Sequence, residues 1–302
     1  MKRVIALMLA LLMVLAGCTG GKQPTTAGPA EVPQEYRTVY SGEITTLNYL
    51  TTASTNEFAL AANFVDSLID YDRYGVAQPC LATEWKLSDD GLVWTLKLRE
   101  GVKWVTHEGK EYAELTAQDF VDAMKYVLDS KNESQTANIA YSVIKNAEKF
   151  YNAEITDFEQ VGIKAKDKYT LEYTLEKPTP YFLSMLTYVC FFPVNGKFLS
   201  EAGDKFGTDN ANILYNGAYM METYEPQTRR VLAANENYWD KENIYIKKIT
   251  QTYNKEAATL APELVLRGEI DYAELPSSII DEWMKDETKK DKLRPQRTTF
   301  YT

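Results

Sequence analysis

The 302-residue chain carries 43 acidic against 33 basic side chains and a single His, a formal net charge of −10 that argues against nucleic acid or an anionic lipid surface as partner and fits a solvated extracellular domain. Its length suits two domains with a sizeable core, and its 45% hydrophobic and 25% charged residues are those of an ordinary globular protein. The 21 Tyr residues supply flat apolar area with a polar tip, which serves a cleft open to varied ligands as well as an ordinary core. The chain opens with Lys2 and Arg3, then an apolar run over 4–15, then the small residues Ala16 and Gly17 before Cys18. That run is shorter than the ~20 residues a spanning helix needs, and the small residues read as a cleavage site, so 1–17 is read as an export signal. Residues 18–35, rich in Gly, Pro, Thr and Ala and without apolar periodicity, read as a flexible tether.

Residues 36–50 suggest a first strand and a turn. A polar loop over 51–57 leads to a helix over 58–69, with Leu60, Phe64 and Leu68 at helical spacing. Ser54, Thr55 and Asn56 all cap helices well, so at least one of them is expected to do so. The stretch over 81–120 is the most legible. Asp89, Asp90 and Gly91 make a turn, after which Leu92, Trp94, Leu96 and Leu98 alternate with Val93, Thr95, Lys97 and Arg99, the period of a half-buried strand. A short strand over 102–105 and a turn at Glu108-Gly109 follow. Thr116 then caps a helix with Asp119 at its positive end and Phe120, Met124 and Val127 on one face. Next come a predicted helix over 137–151, through Ile144, Ala147 and Tyr151, and a hairpin whose second strand alternates Tyr169, Leu171, Tyr173 and Leu175. Thr179 followed by Pro180 opens a helix over 181–186. Residues 244–253 are strand-like, and 255–267 read as a helix stopped by Gly268, so that Glu269-Ile270-Asp271 can start another strand. Pro262 inside that helix predicts a kink or a late start, and 292–302 turns strand-like again.

The chemistry-bearing residues are few. His107 is alone, which rules out a zinc cage of several His ligands, no Ser-His-Asp triad is expected, and the Gly109 near it marks a turn rather than a helical metal motif. No phosphate-cradling glycine loop is present. Asp89-Asp90 and Asp281-Glu282 sit where turns and helix starts want acids, which is a commoner use than paired catalytic carboxylates. No catalytic residue, metal or cofactor is expected. Cys80 and Cys190 could pair in an oxidising compartment, or stay as small buried thiols.

The pattern over 81–120 resembles the signature of bacterial extracellular solute-binding proteins of family 5, which serve ABC importers of peptides and, in some branches, nickel. The matching residues are Leu81-Ala82, Glu84-Trp85, the Asp90-Gly91 turn, Leu98-Arg99, Gly101-Val102-Lys103-Trp104 and Thr116-Ala117-x-Asp119-Phe120. Asn216-Gly217-x-Tyr219, Asn235-x-Asn237-Tyr238-Trp239 and Gly268-Glu269-x-Asp271 match further family landmarks. Leu15-Ala16-Gly17-Cys18 likewise resembles a lipoprotein lipobox, which implies a lipid on Cys18 and attachment to the outer side of the cell membrane; an ordinary secretory signal with an incidental Cys is the alternative. The first resemblance implies an α/β, periplasmic-binding-protein-like fold of the type II two-lobe clamp. It divides the chain into a main first-lobe domain over 36–74 and 191–302 and a small inserted α/β domain over 75–190, with the second lobe absent from this chain, which is therefore expected to be a truncated product. It implies an oligopeptide ligand, a permease and through it ATPase subunits as partners, a monomeric state, and ligand contacts at Ser54, Thr55, Asn56 and Tyr301. A nickel, haem or other small-solute subunit, and a peptide-sensing lipoprotein without transport, stay open as alternatives. The motif over 81–120 is itself expected to be scaffold.

Overall fold

The alternating apolar positions resolve into two four-stranded sheets in the computed structural model, which describes residues 34–295. The chain runs β1 (Glu35–Tyr40), α1 (Thr55–Phe64), a hairpin of β2 (Ile69–Tyr71) and β3 (Ala77–Pro79), then β4 (Ala82–Leu87) and β5 (Val93–Leu98). A second hairpin, β6 (Lys103–Val105) and β7 (Glu111–Glu114), precedes the helices α2 (Ala117–Leu128), α3 (Ala137–Tyr141) and α4 (Ala147–Tyr151). β8 (Ile163–Asp167), β9 (Thr170–Thr174), α5 (Phe182–Met185) and α6 (Gly196–Ala202) come next, followed by β10 (Tyr219–Glu225), β11 (Arg229–Ala234), β12 (Lys248–Tyr253), α7 (Ala257–Leu266) and α8 (Ser277–Lys285). One sheet has the order β1-β12-β11-β10, with β1 parallel to β12 and the other pairs antiparallel. The other, β4-β5-β9-β8, is antiparallel throughout and is drawn wholly from the middle of the sequence.

The predicted alternation of the Trp94 strand holds: Trp94, Leu96 and Leu98 are buried, and Leu96 and Trp94 stand opposite Leu171 and Tyr173 of β9. Apolar side chains from both sheets share one core that includes Phe64, Trp104, Tyr173 and Leu232. Each such large side chain, fully buried, stabilises the fold by about 1.5–3 kcal/mol relative to exposure.

Several elements differ from the sequence reading, two helices among them because a distant strand or turn competes for the backbone. The helix expected over 58–69 starts earlier, at Thr55, and ends at Phe64, because the Phe64 carbonyl is taken by the N–H groups of Asn216 and Gly217. Val65 turns extended, and Leu68 and Ile69 are buried at the start of β2. The helix over 137–151 is broken into α3 and α4: Ile144 bridges Leu175, Lys145 N–H donates to the Thr174 carbonyl at 3.0 Å, and Asn146 takes a left-handed conformation at φ 59°. α5 begins beyond Thr179, whose hydroxyl donates to the Lys177 carbonyl instead of capping. β12 begins at Lys248, not 244. Residues 269–271 form no strand: Asp271 meets the edge of β1 through its own N–H and through its carboxylate, which accepts from Arg37 N–H at 2.7 Å. α7 begins at Ala257 and buries Pro262 in its interior.

The predicted cap of α2 does more than close a helix. Asp119 Oδ2 accepts from Thr116 N–H at 2.7 Å and from the indole Nε1 of fully buried Trp104 at 3.2 Å, while Oδ1 faces Asn195 Nδ2 at 3.4 Å, so one carboxyl ties β6, α2 and the start of α6 together. Burial pushes the Asp119 carboxyl up to about 6. Since the folded protein keeps this proton where the unfolded chain, near 3.8, has lost it, the group's contribution to stability is full below about pH 4 and declines as pH rises to about 6. Urea unfolding of wild type and Asp119→Asn across pH 4 to 7 is expected to show the gap between them shift by about 2 kcal/mol in favour of the variant at the higher pH. A gap that stays constant with pH rules this account out.

Candidate functional site

The site the sequence points to lies at the start of α1. The chain reaches it through a loop that is tied down on every side. Leu47 N–H donates to the Gly207 carbonyl at 2.8 Å, Asn48 Nδ2 to Tyr126 Oη at 3.0 Å and Tyr49 Oη to the Pro193 carbonyl at 2.7 Å. Gly207 has φ +76°, and a Cβ there would stand 2.3 Å from Asn48 N, so only glycine fits. The carbonyls of Leu50 and Thr51 are taken by Ser134 Oγ at 2.6 Å and Gln135 N–H at 3.0 Å.

Then the ties stop. Among the described residues, no group hydrogen-bonds the main-chain N–H or carbonyl of Thr52 or Ala53. Ala53 is exposed, and Ser54 continues the extended path at φ −79°, ψ 127°. Ser54 is the N-cap of α1 by position, yet its hydroxyl makes no capping bond; its carbonyl accepts from Glu57 and Phe58 N–H, and its own N–H donates to Thr52 Oγ1 at 2.9 Å. Thr55 and Asn56 are exposed in the first turn. The expectation that one of the three caps through its side chain is therefore not met for Ser54, the residue in the capping position. Of the other predicted contacts, Cys18 and Tyr301 lie outside the described residues.

Sequence reasoning missed Glu57. It is 5% exposed, and its Oε1 accepts from Thr45 N–H at 2.7 Å and Thr45 Oγ1 at 2.9 Å, which holds the incoming loop onto the first turn of α1. An acidic residue in a first turn signals only a favourable interaction with the helix end; that it is buried is a tertiary fact. Beside it, a Cβ on Gly42 would lie 2.7 Å from Asn56 Nδ2. Glu43 accepts from Gln227 N–H at 2.8 Å, Ile44 N–H at 3.0 Å and the buried Arg230 Nη2 at 3.0 Å, and the Arg230 guanidinium lies 3.7 Å over the Tyr40 ring. Burial opposes the Glu43 charge, but these bonds and the Arg230 charge outweigh it and hold the carboxyl below its ordinary value.

The other end of α1 is held by the remaining sequence landmarks. Asn216 and Gly217 N–H reach the Phe64 carbonyl at 3.0 and 2.8 Å, Asp66 N–H donates to Asn216 Oδ1 at 2.8 Å, and Asn235 Nδ2 donates to the Gly217 carbonyl at 3.0 Å. Trp239 Nε1 donates to Asp66 Oδ2 at 2.8 Å, and Arg99 stacks 3.7 Å over the Trp239 ring. Burial pushes Asp66 up to about 6 against the hydrogen bonds it receives from Trp239, Tyr238 and Cys80. Cys80 and Cys190 are both buried free thiols. His107 sits in a surface turn closed by Gly109 at φ +77°. Open depressions of about 360 Å³ beside Tyr219 and Tyr245 and about 310 Å³ beside Asp122 and Phe158 do not include residues 52–56. Among the described residues, no helix is long and apolar enough to cross a membrane, and no group of three His, Cys, Asp or Glu side chains could hold a metal ion.

The exposed Ala53, with its open main chain, is presented by a helix locked at both ends, which is the geometry of a candidate binding surface. Residues 76–302 match the family described as bacterial extracellular solute-binding proteins, family 5 Middle, and the chain belongs to that family. The oligopeptide-binding protein AmiA of Streptococcus pneumoniae is 38% identical over 242 residues, which is 80% of this chain and 36% of AmiA. Among solved structures, the substrate-binding domain of an oligopeptide ABC transporter from Bacillus anthracis superposes with a TM-score of 0.77 at 31% identity, covering 84% of this chain and 48% of that one. Peptide-bound OppA of Listeria monocytogenes superposes with a TM-score of 0.76 at 28% identity, covering 84% of this chain and 49% of its own. The chain thus spans half or less of the length of these relatives. The proteins it resembles are binding proteins rather than enzymes.

The Gly217 contact can be tested directly. A Cβ on Gly217 would stand 2.8 Å from both Asn63 O and Phe64 C, whereas a Cβ on Gly101, at φ +77°, would meet nothing within 4 Å. Gly217→Ala is expected to cost about 2–4 kcal/mol in urea unfolding, and Gly101→Ala about 1 kcal/mol from backbone strain alone. Equal costs at the two positions contradict the close approach.

Proposed function

We propose that this chain is the ligand-capturing part of the substrate-binding lipoprotein of an ABC importer, and that it takes up oligopeptides outside the cell for delivery to a membrane permease and its ATPase subunits. The observation that carries this reading is the open main chain at the exposed Ala53: an extended peptide can pair with it in the manner of an added strand, whatever its side chains. The oligopeptide-binding names of AmiA and of the Listeria OppA structure support the ligand class.

In this reading the strands β1 and β10–β12, with residues 36–74 and 191–302, form the main first-lobe domain, and 75–190 form the small inserted one. Ser54, Thr55, Asn56 and Tyr301 contact the peptide, a second lobe closes over it, and a lipid on Cys18 tethers the protein to the cell membrane. A ligand face that belongs between two lobes is a surface, not a pocket, on one lobe alone, which agrees with its position outside the two depressions. Main-chain pairing gives affinity without side-chain selection, suiting a general peptide collector.

The test is calorimetric titration of the full-length gene product carrying these residues against a mixed pentapeptide pool, with Ala53→Pro as the variant. Proline removes an N–H that no described residue uses, so the fold keeps its stability within about 1 kcal/mol while peptide affinity falls about 5–30-fold. A folded full-length product that takes up no peptide, or an Ala53→Pro variant with wild-type affinity, overturns the proposal.

A further inference from the structure

Ala53, exposed and with a main chain that no described residue bonds, leads into Ser54, and an aromatic wall lies beside that turn. Phe58 lies one helical turn on, its N–H bonded to the Ser54 carbonyl at 3.0 Å, and its half-buried ring meets Tyr188 edge to face with ring centroids 5.4 Å apart and an interplanar angle of 69°. Tyr188 is held rigidly: its N–H donates to the Met185 carbonyl and its carbonyl accepts from Phe191 N–H, both at 2.9 Å, and the next three residues, Val189, Cys190 and Phe191, are all buried. Yet Tyr188 itself is 41% exposed, and its hydroxyl makes no hydrogen bond with any described residue. A ring fixed from behind and left uncovered in front is a preorganised contact surface.

The charge distribution narrows what it can accept. Ser54, Thr55, Asn56, Phe58, Gln135 and Tyr188, the groups gathered here, are all uncharged. The one acid in the same turn, Glu57, faces away onto Thr45 and is buried. The neighbouring Glu43 is already engaged by Arg230, so a basic side chain would find no free counter-charge among these groups, and it would stand near the positive end of α1. An aromatic or large aliphatic side chain would instead gain apolar area against Phe58 and the Tyr188 ring.

We propose that the Phe58–Tyr188 pair makes this protein select peptides that present an aromatic or large aliphatic side chain beside residue 54, and disfavour a basic one there. The inference rests on the peptide-binding reading and deepens it, from peptides in general to peptides with an apolar residue at one position.

The experiment titrates the full-length gene product with penta-alanine and with its single Phe, Lys and Glu variants at each position. At one position Phe is expected to tighten binding about tenfold over Ala and Lys to weaken it. Tyr188→Ala is expected to abolish the Phe gain while leaving penta-alanine affinity within about twofold, and Tyr188→Phe to preserve the gain. Equal affinity for Phe, Lys and Ala at every position overturns the inference. So does a preference for Glu, which would mark the helix end as an anion site instead, or a Tyr188→Ala variant that weakens penta-alanine as much as the Phe peptide. Wild type that binds no peptide of the series removes the peptide-binding reading and this inference with it, whereas binding without discrimination removes only the inference.

Discussion

The Phe64 carbonyl, taken by two N–H groups from a turn about 150 residues further along the chain, is the contact on which the placement of the binding surface depends. It ends α1 and fixes the helix axis by its C-terminal end. It also forces the chain into β2 with Leu68 and Ile69 facing the core. Only an unsubstituted α-carbon allows the turn to come so close, which is why a glycine stands at 217. At the opposite end, the buried Glu57 carboxylate pins the incoming loop to the first turn. A helix held at both ends cannot swing, so whatever it presents at Ala53 and Ser54 is presented in one geometry.

The signature stretch acts on the same frame from another side. Asp119 gathers β6, α2 and the start of α6, and Trp239, which Arg99 covers, reaches back to Asp66 just beyond α1. These motifs hold the frame together through turn formers, caps and large aromatics that find a polar partner for their one polar atom. The family can be recognised from residues that build the frame because the frame is the more demanding requirement. A backbone-reading surface asks little of its side chains, while a buried indole or carboxyl asks for a particular partner at a particular distance.

How much was legible follows from how local each feature is. The alternation through Trp94, Leu96 and Leu98, the cap at Thr116 and the hairpin through Tyr173 depend on residues a few positions apart, and all stand as read. The unbroken helix over 137–151 was misread because Ile144 and Ala147 keep helical spacing, while the backbone between them is claimed by Leu175 and Thr174 from a strand not yet reached in the sequence. At the site, Ser54 to Asn56 were visible as a polar run before a helix. The open main chain of Ala53 was not, since alanine carries no pattern and openness is defined by the bonds that neighbours do not make. Tyr188 was hidden for a related reason: nothing in the order of residues distinguishes an exposed ring braced against Phe58 from the many tyrosines of an ordinary core.

The parallel pairing of β1 with β12 has a consequence for how the protein reaches its folded state. Glu35 lies against Lys248 and Tyr40 against Tyr253, so the first strand waits for more than two hundred residues before its sheet neighbour among the described residues exists. The sheet β4-β5-β9-β8 has no such dependence, as all of its strands fall between residues 82 and 174. A chain emerging amino end first would thus condense its middle sheet early and carry β1 unpaired until β12 has been made, since closing so long a loop costs entropy that only the completed sheet returns. Folding of these two sheets is ordered from the middle one outward, and the segment between β1 and α1 settles after the middle sheet has formed.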